Sequence, residues 1–73
     1  MKYIFRGNVV FNYDPLTKQM EVPNDEDAGV NNNFNFCRFI PEDYELMADF
    51  FLTAHAHATG EVATTELKDI EVN

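Results

Sequence analysis

Two histidines, one cysteine and several groups of carboxylates are the side chains of this 73-residue sequence that could support catalysis or bind a metal. His55 and His57 are two residues apart in an alanine-rich segment. On a helix this spacing separates the two side chains by about 200°, so they cannot share one metal ion. A strand would place both on one face, but the alanines and the phase of the preceding residues favour a helix. We interpret both histidines as residues at the edge of the core or at an interface, with a metal site shared between subunits left open.

Cys37 could act as a nucleophile only beside a base, for which His55 and His57 are the candidates. It lies among alternating phenylalanines, which is typical of a small buried apolar side chain. As the only cysteine, it excludes a disulfide within the chain. The sequence has no serine and no glycine-rich phosphate loop, which excludes a serine triad and a phosphate-binding loop.

Acidic side chains occur in two arrangements that resemble sites of known chemistry. Residues 25–27 are acidic and lie close to a glycine, as in a calcium-binding loop. That loop needs glycine at its sixth position and glutamate at its twelfth, where this sequence has Val30 and Phe36. Glu45 and Asp49 could form an acid–base pair, but a solvated helix face lacks the burial that such catalysis uses. We therefore expect a protein that is not an enzyme and that holds no metal or cofactor.

The N-terminal third of the chain has the alternation of β-strands. Residues 3–13 alternate aromatic or β-branched side chains with others, which predicts one long strand with a bulge or bend at Gly7. A two-residue turn at Gly7-Asn8, which would divide this strand into a hairpin, is the alternative. Asp14–Lys18 has the composition of a turn, and residues 16–22 alternate again, which predicts a second strand.

The remaining elements are bounded by proline and glycine. Residues 23–33 are predicted to be a polar loop and residues 34–40 a third strand. Pro41 and Gly60 then enclose a helix that runs to about Thr59, and residues 70–72 alternate as a short edge strand. We expect one domain, residues 1–73, of the α+β class. Its small antiparallel sheet would have three or four strands in the order β-β-β-α-β, with the amphipathic helix packed across one face.

The predicted core joins an aromatic strand face to an apolar helix face. The strand face consists of Tyr3, Phe5, Phe11 and Tyr13. At about 100° per residue, five helix residues form the centre of the apolar face, with Phe50 at its edge: Tyr44, Met47, Phe51, Ala54 and Ala58. The opposite helix face presents Glu42, Glu45 and Asp49.

The net charge of −8 is concentrated in the second half of the chain. Residues 1–40 have four basic and five acidic side chains, whereas residues 41–73 have one basic and eight acidic ones. This asymmetry argues against direct binding to nucleic acid and favours a basic protein surface as the partner. A solvated acidic surface that keeps the protein in solution is the alternative interpretation.

The leading hypothesis is a small non-catalytic inhibitor that masks the basic surface of a nucleic-acid-binding protein. The predicted contact residues are the carboxylates of the helix, the tail and the loop at residues 24–33: Glu42, Glu45, Asp49, Glu66, Asp69, Glu71, Asp25, Glu26 and Asp27. Whether the helix or the loop makes the contact stays open. In general profile, being small, acidic and without catalytic motifs, the chain resembles phage-encoded inhibitors of host defence such as anti-CRISPR and anti-restriction proteins.

A second hypothesis is a homo-oligomer that binds a small ligand between subunits, or a structural subunit of an assembly. Ten aromatic residues in so short a chain favour an exposed apolar patch, through which two copies of the chain would form a homodimer. The apolar residues before Arg6 are too few for a signal peptide, and no apolar run approaches the length of a membrane span. We therefore expect a cytoplasmic protein without a membrane partner.

Overall fold

The computed structural model describes residues 1–22 and 38–73. Within them lie a four-stranded sheet, one α-helix and one short 3₁₀ turn: β1 (Lys2–Phe5), β2 (Asn8–Asp14), β3 (Gln19–Glu21), α1 (Pro41–Ala58), the 3₁₀ turn Thr64–Glu66 and β4 (Ile70–Val72). The strand order is β3-β2-β1-β4, in which β1–β2 and β2–β3 are antiparallel and β1–β4 is parallel. The α+β class and the element order β-β-β-α-β are confirmed, and the sheet is mostly antiparallel.

The long first strand is in fact a hairpin. The chain turns at Arg6 and Gly7, whose φ angles of 51° and 85° are both positive, as a type I′ turn requires. The prediction of one strand over residues 3–13 is therefore wrong, and the alternative of a tight turn is right in kind, one residue earlier in the chain. An arginine at this position does not predict a turn from the sequence. Its guanidinium carbon lies 4.9 Å from the centroid of the Phe5 ring. The bulge lies in β2 at Val10, which the pairing of β1 with β2 skips.

The second strand is shorter than its alternation predicts. The Asp14 carboxylate accepts a hydrogen bond from the Leu16 N–H at 2.8 Å, and the Lys18 N–H donates to the Asp14 carbonyl at 2.7 Å. These two bonds keep Leu16 in the turn, where it is 91% exposed, and β3 begins only at Gln19. The alternation that predicted a strand from residue 16 therefore began inside the turn.

The third predicted strand, residues 34–40, lies mostly outside the described residues. Residues 38–40 are not a strand, and Ile40 is the N-cap of α1. The third strand along the chain is instead β3, because the first predicted strand is observed as two strands, β1 and β2. At the other end of the chain, β4 pairs with β1 as the predicted edge strand, and the Arg6 N–H extends this pairing to the Val72 carbonyl at 2.7 Å.

Helix α1 has the predicted bounds because both of its ends are closed by specific hydrogen bonds. The Asp43 carboxylate accepts from the Ile40 N–H at 2.8 Å, so the third helical residue supplies the cap that the isoleucine side chain cannot. At the other end, Gly60 has a φ of 86°. Its N–H donates to the His57 carbonyl at 3.0 Å, and the Glu61 N–H donates to the Ala56 carbonyl at 2.8 Å. Together these bonds form a Schellman motif.

The core contains the predicted aromatic strand face, but α1 is rotated relative to the prediction. Phe50 is fully buried, whereas Tyr44 and Phe51 are 57% and 41% exposed. The side of the helix that packs on the sheet, which we call the inner stripe, consists of Asp43, Met47, Phe50, Ala54 and His57. Two of these residues are polar, so the pattern of hydrophobic residues alone predicts the wrong side of the helix for the core. Of the predicted apolar face, Met47 and Ala54 pack in the core, whereas Tyr44 and Phe51 are exposed and Ala58 is only half-buried.

Candidate protein-binding surface

Two tyrosine hydroxyls hold the ends of α1 against the sheet. The Tyr3 hydroxyl donates to the backbone carbonyl of Asp43, in the first turn of the helix, at 3.3 Å. The Tyr13 hydroxyl forms a 2.7 Å hydrogen bond with Nδ1 of His57 in the last turn. Both tyrosines are buried and lie on adjacent strands, opposite the inner stripe. The outward face of the helix is therefore presented on a fixed support.

His57 is part of the structure of this support. Its Nε2 lies 2.9 Å from the Thr64 hydroxyl, so both ring nitrogens have hydrogen-bond partners and the side chain is buried. The ring also packs edge-on against Tyr13, with centroids 5.4 Å apart. His57 therefore joins β2, α1 and the 3₁₀ turn, while His55 is exposed on another side of the helix. The two histidines diverge, as their spacing on a helix predicts.

The described residues contain no group of three histidine, cysteine or acidic side chains that could hold a metal ion. Cys37 and the acidic loop residues Asp25, Glu26 and Asp27 lie outside residues 1–22 and 38–73. The hypotheses that concern them, including the loop at residues 24–33 as a contact surface, stay as predictions.

Three of the predicted contact residues form one row on the solvent side of α1. Glu42, Glu45 and Asp49 are all exposed and are spaced three and four residues apart. We call them the acidic stripe. At 1.5 Å per residue, they span about 10 Å along the helix axis. Like charges at these spacings destabilise a helix by about 0.2–0.5 kcal/mol per pair. Only Glu42, in the first turn, gains from the positive end of the helix dipole.

The three predicted contact residues of the tail do not extend the acidic stripe as one surface. Glu66 is exposed at the end of the 3₁₀ turn. The Asp69 carboxylate accepts a hydrogen bond from the Lys2 backbone N–H at 2.7 Å, which supports the start of β1. Glu71 is aligned with Ile4 in the parallel pairing, one residue out of phase with Tyr3 and Phe5, so it lies on the sheet face away from α1.

A row of exposed and mostly apolar side chains beside the acidic stripe is a feature that was not predicted from the sequence. Tyr44, Ala48, Phe51 and His55 form a second row on the helix, and all four are exposed. We call them the outer stripe. Leu52, which is 65% exposed, lies between this row and the acidic stripe, four residues after Ala48 and three after Asp49. The sequence contains this second row, because each residue of the outer stripe directly follows a residue of the inner stripe. The predicted apolar face combined residues of both rows.

The two aromatic rings of the outer stripe pack against aromatic residues that lie closer to the sheet. Phe51 packs edge-on against Phe11 with ring centroids 4.9 Å apart. The ring centroids of Tyr44 and Phe39 are 6.5 Å apart, and those of Phe39 and the core residue Phe5 are 4.9 Å apart. Each exposed ring is thus in contact with an aromatic residue that reaches the sheet. Such contacts restrict the rings before binding, which lowers the entropy lost when a partner covers them.

Comparison of the chain with family models, with curated proteins and with solved structures found no match. Among the described residues, α1 lacks the apolar composition of a membrane-crossing helix, as does every other helical segment.

Proposed function

We propose that this protein is a non-catalytic inhibitor that binds the basic surface of a nucleic-acid-binding protein and competes with nucleic acid for it. The observation that carries the proposal is the acidic stripe. Glu42, Glu45 and Asp49 are exposed in one row on a helix whose two ends are fixed to the sheet. A row of fixed carboxylates on a supported helix is complementary to a row of lysine and arginine side chains.

The dimensions of the acidic stripe support competition with phosphate groups. Three carboxylates span about 10 Å of helix axis. Three successive phosphates of one DNA strand span about 7 Å of duplex axis, and the flexible glutamate side chains can cover the difference. A net charge of −8 would also accelerate encounter with a basic partner at low ionic strength. In this profile the protein fits the anti-defence inhibitors of phages, of the anti-CRISPR or anti-restriction type.

The geometry favours the helix over the tail as the contact. Asp69 already accepts a backbone hydrogen bond and Glu71 lies on the sheet face away from α1, so only Glu66 of the three predicted tail contacts is exposed without either restriction. The proposal therefore assigns the contact to Glu42, Glu45 and Asp49. The tail residues contribute mainly to the overall negative charge.

Two charge-reversed variants with the same net charge test this assignment. The helix variant replaces Glu42, Glu45 and Asp49 with lysine. The tail variant replaces Glu61, Glu66 and Glu71, which are also exposed. Each substitution adds two positive charges, so both variants change the net charge from −8 to −2. Any difference between them reports the position of the charges instead of their number.

Wild-type protein and both variants are immobilised, exposed to an extract of the native host cell, and washed at low salt. We expect a nucleic-acid-binding protein to be retained by the wild type and the tail variant, released by added duplex DNA, and lost from the helix variant. Retention of the same protein by the helix variant would refute the proposal. Circular dichroism of all three proteins ensures that a loss of binding is not a loss of folding.

A further inference from the structure

Helix α1 has two rows of side chains with the spacing of helix-packing surfaces. The inner stripe follows the sequence intervals four, three, four and three, and it packs on the sheet. The outer stripe, at residues 44, 48, 51 and 55, follows the intervals four, three and four, and it is exposed. Alternating intervals of three and four are the pattern by which one helix packs along another. The outer stripe is therefore shaped for a second helix.

The side chains of the outer stripe have the sizes that such packing uses. Ala48 is small and lies between the larger Tyr44 and Phe51 on this row. From these sizes we expect a depression at Ala48 that one apolar side chain of a facing helix can fill. Leu52 adds an apolar wall on one side of this depression. Beyond it, Glu45 and Asp49 provide negative charge along the same flank. The surface is thus apolar along its centre and acidic along one side.

The charges of α1 decide between a second copy of this chain and a different partner. Residues 41–58 contain no lysine or arginine. A second copy packed on the outer stripe would offer no lysine or arginine from its own α1 to Glu45 and Asp49, and each copy has a net charge of −8. A helix with a row of apolar side chains flanked by lysine or arginine is complementary to both: its apolar side chains fit the depression, and its basic side chains face the acidic flank.

We infer that the outer stripe binds an amphipathic basic α-helix of the partner protein. This inference rests on the proposed function and deepens it, because it names the element of the partner that is recognised. Apolar side chains of the partner helix insert beside Ala48, between Tyr44 and Phe51, while its basic flank faces Glu45 and Asp49. The partner's basic surface is then helical, and the contact is apolar at its centre instead of purely electrostatic.

The probe is a fluorescent peptide of three heptads, with leucine at the two core positions of each heptad and lysine at the flanking positions. A control peptide of the same composition alternates leucine with lysine and so cannot present a helical stripe. Titration with the full chain is followed by fluorescence anisotropy, and the helix content of the bound peptide by circular dichroism. We expect the heptad peptide to bind at least about tenfold more tightly than the control, a difference of about 1.4 kcal/mol.

Matched substitutions on the helix locate the contact. Ala48→Gln fills the depression and Leu52→Gln removes its apolar wall, and each is expected to weaken binding of the heptad peptide about tenfold, or about 1.4 kcal/mol. Leu46→Gln makes the same chemical change on the opposite flank of α1, where the leucine is 37% exposed, and is expected to change the affinity less than about twofold. None of these substitutions changes the net charge.

Three results would overturn the inference. Equal binding of the two peptides would show that helical apolar spacing is not recognised. Weakening by Glu45→Lys and Asp49→Lys, without weakening by Ala48→Gln or Leu52→Gln, would show a purely electrostatic contact and would leave the proposed function standing. A dimer of the protein alone in sedimentation, abolished by Ala48→Gln, would identify a second copy as the occupant. The proposed function itself fails separately, when the helix variant still retains the natural partner.

Discussion

The hydrogen bond between Tyr13 and His57 is the contact whose removal tests most directly how α1 is held. Tyr13→Phe deletes one hydroxyl and leaves the ring packing in place. The hydroxyl lies 2.7 Å from Nδ1 of His57, and both side chains are buried. Because a buried polar nitrogen then loses its partner, we expect the free energy of unfolding to fall by about 1–2 kcal/mol. In a domain of this size that loss lowers the melting temperature by about 4–16 °C.

The assay is urea and thermal unfolding followed by circular dichroism, with Tyr44→Phe as the matched control. Tyr44 is more than half exposed, so removing its hydroxyl is expected to change the free energy of unfolding by less than about 0.5 kcal/mol. Thr64→Val, alone and combined with Tyr13→Phe, measures how strongly the two hydrogen bonds of His57 depend on each other. If Tyr13→Phe were as mild as Tyr44→Phe, the role of Tyr13 and His57 in holding the end of α1 would be refuted.

Three further changes have expected outcomes that unfolding experiments can check. Gly7→Ala is expected to destabilise the protein by about 1–2 kcal/mol, since a side chain disfavours the φ of 85° even though an added Cβ would meet no atom within 4 Å; an unchanged urea midpoint would contradict this. Asp43→Ala is expected to cost about 1 kcal/mol by removing the acceptor for the Ile40 N–H, whereas Glu42→Ala in the same turn costs less; equal losses would argue against the cap. Glu45→Gln is expected to stabilise α1 by about 0.2–0.5 kcal/mol while weakening partner binding, and unchanged binding affinity would speak against the acidic stripe.

The elements that sequence alone located are those with position-specific residues at their ends. Pro41 and Gly60 define α1 because each of them has a backbone conformation that suits one end of a helix. The short strand at Ile70–Val72 followed from local alternation. The first turn was misplaced because its first central residue is Arg6, a type that rarely adopts positive φ. Its position depends on the pairing of β1 with β2, which no local pattern reports.

The orientation of α1 could not be read from hydrophobicity, because polar residues occupy its buried side. Asp43 and His57 are buried because of hydrogen bonds to Ile40, Tyr13 and Thr64, and the bond to Tyr13 joins residues 44 positions apart. If those contacts are not known, hydrophobicity predicts that Tyr44 and Phe51 lie in the core. The acidic stripe was located correctly on the helix, since charged residues face solvent under either phase. The outer stripe is distinguished from the core-facing residues only by the orientation of α1, which these hydrogen bonds fix.

The central claim is that the outward face of α1 is the surface by which this protein binds its partner. The most direct test is the change in backbone amide chemical shifts of the ¹⁵N-labelled full chain when the partner retained in the capture experiment is added. We predict the largest changes within residues 42–55, at the acidic and outer stripes, with little change at Ile70–Val72. Changes centred on residues 24–33, or on the tail from Thr64 to Val72, would contradict the claim and would assign the contact to the loop or the tail.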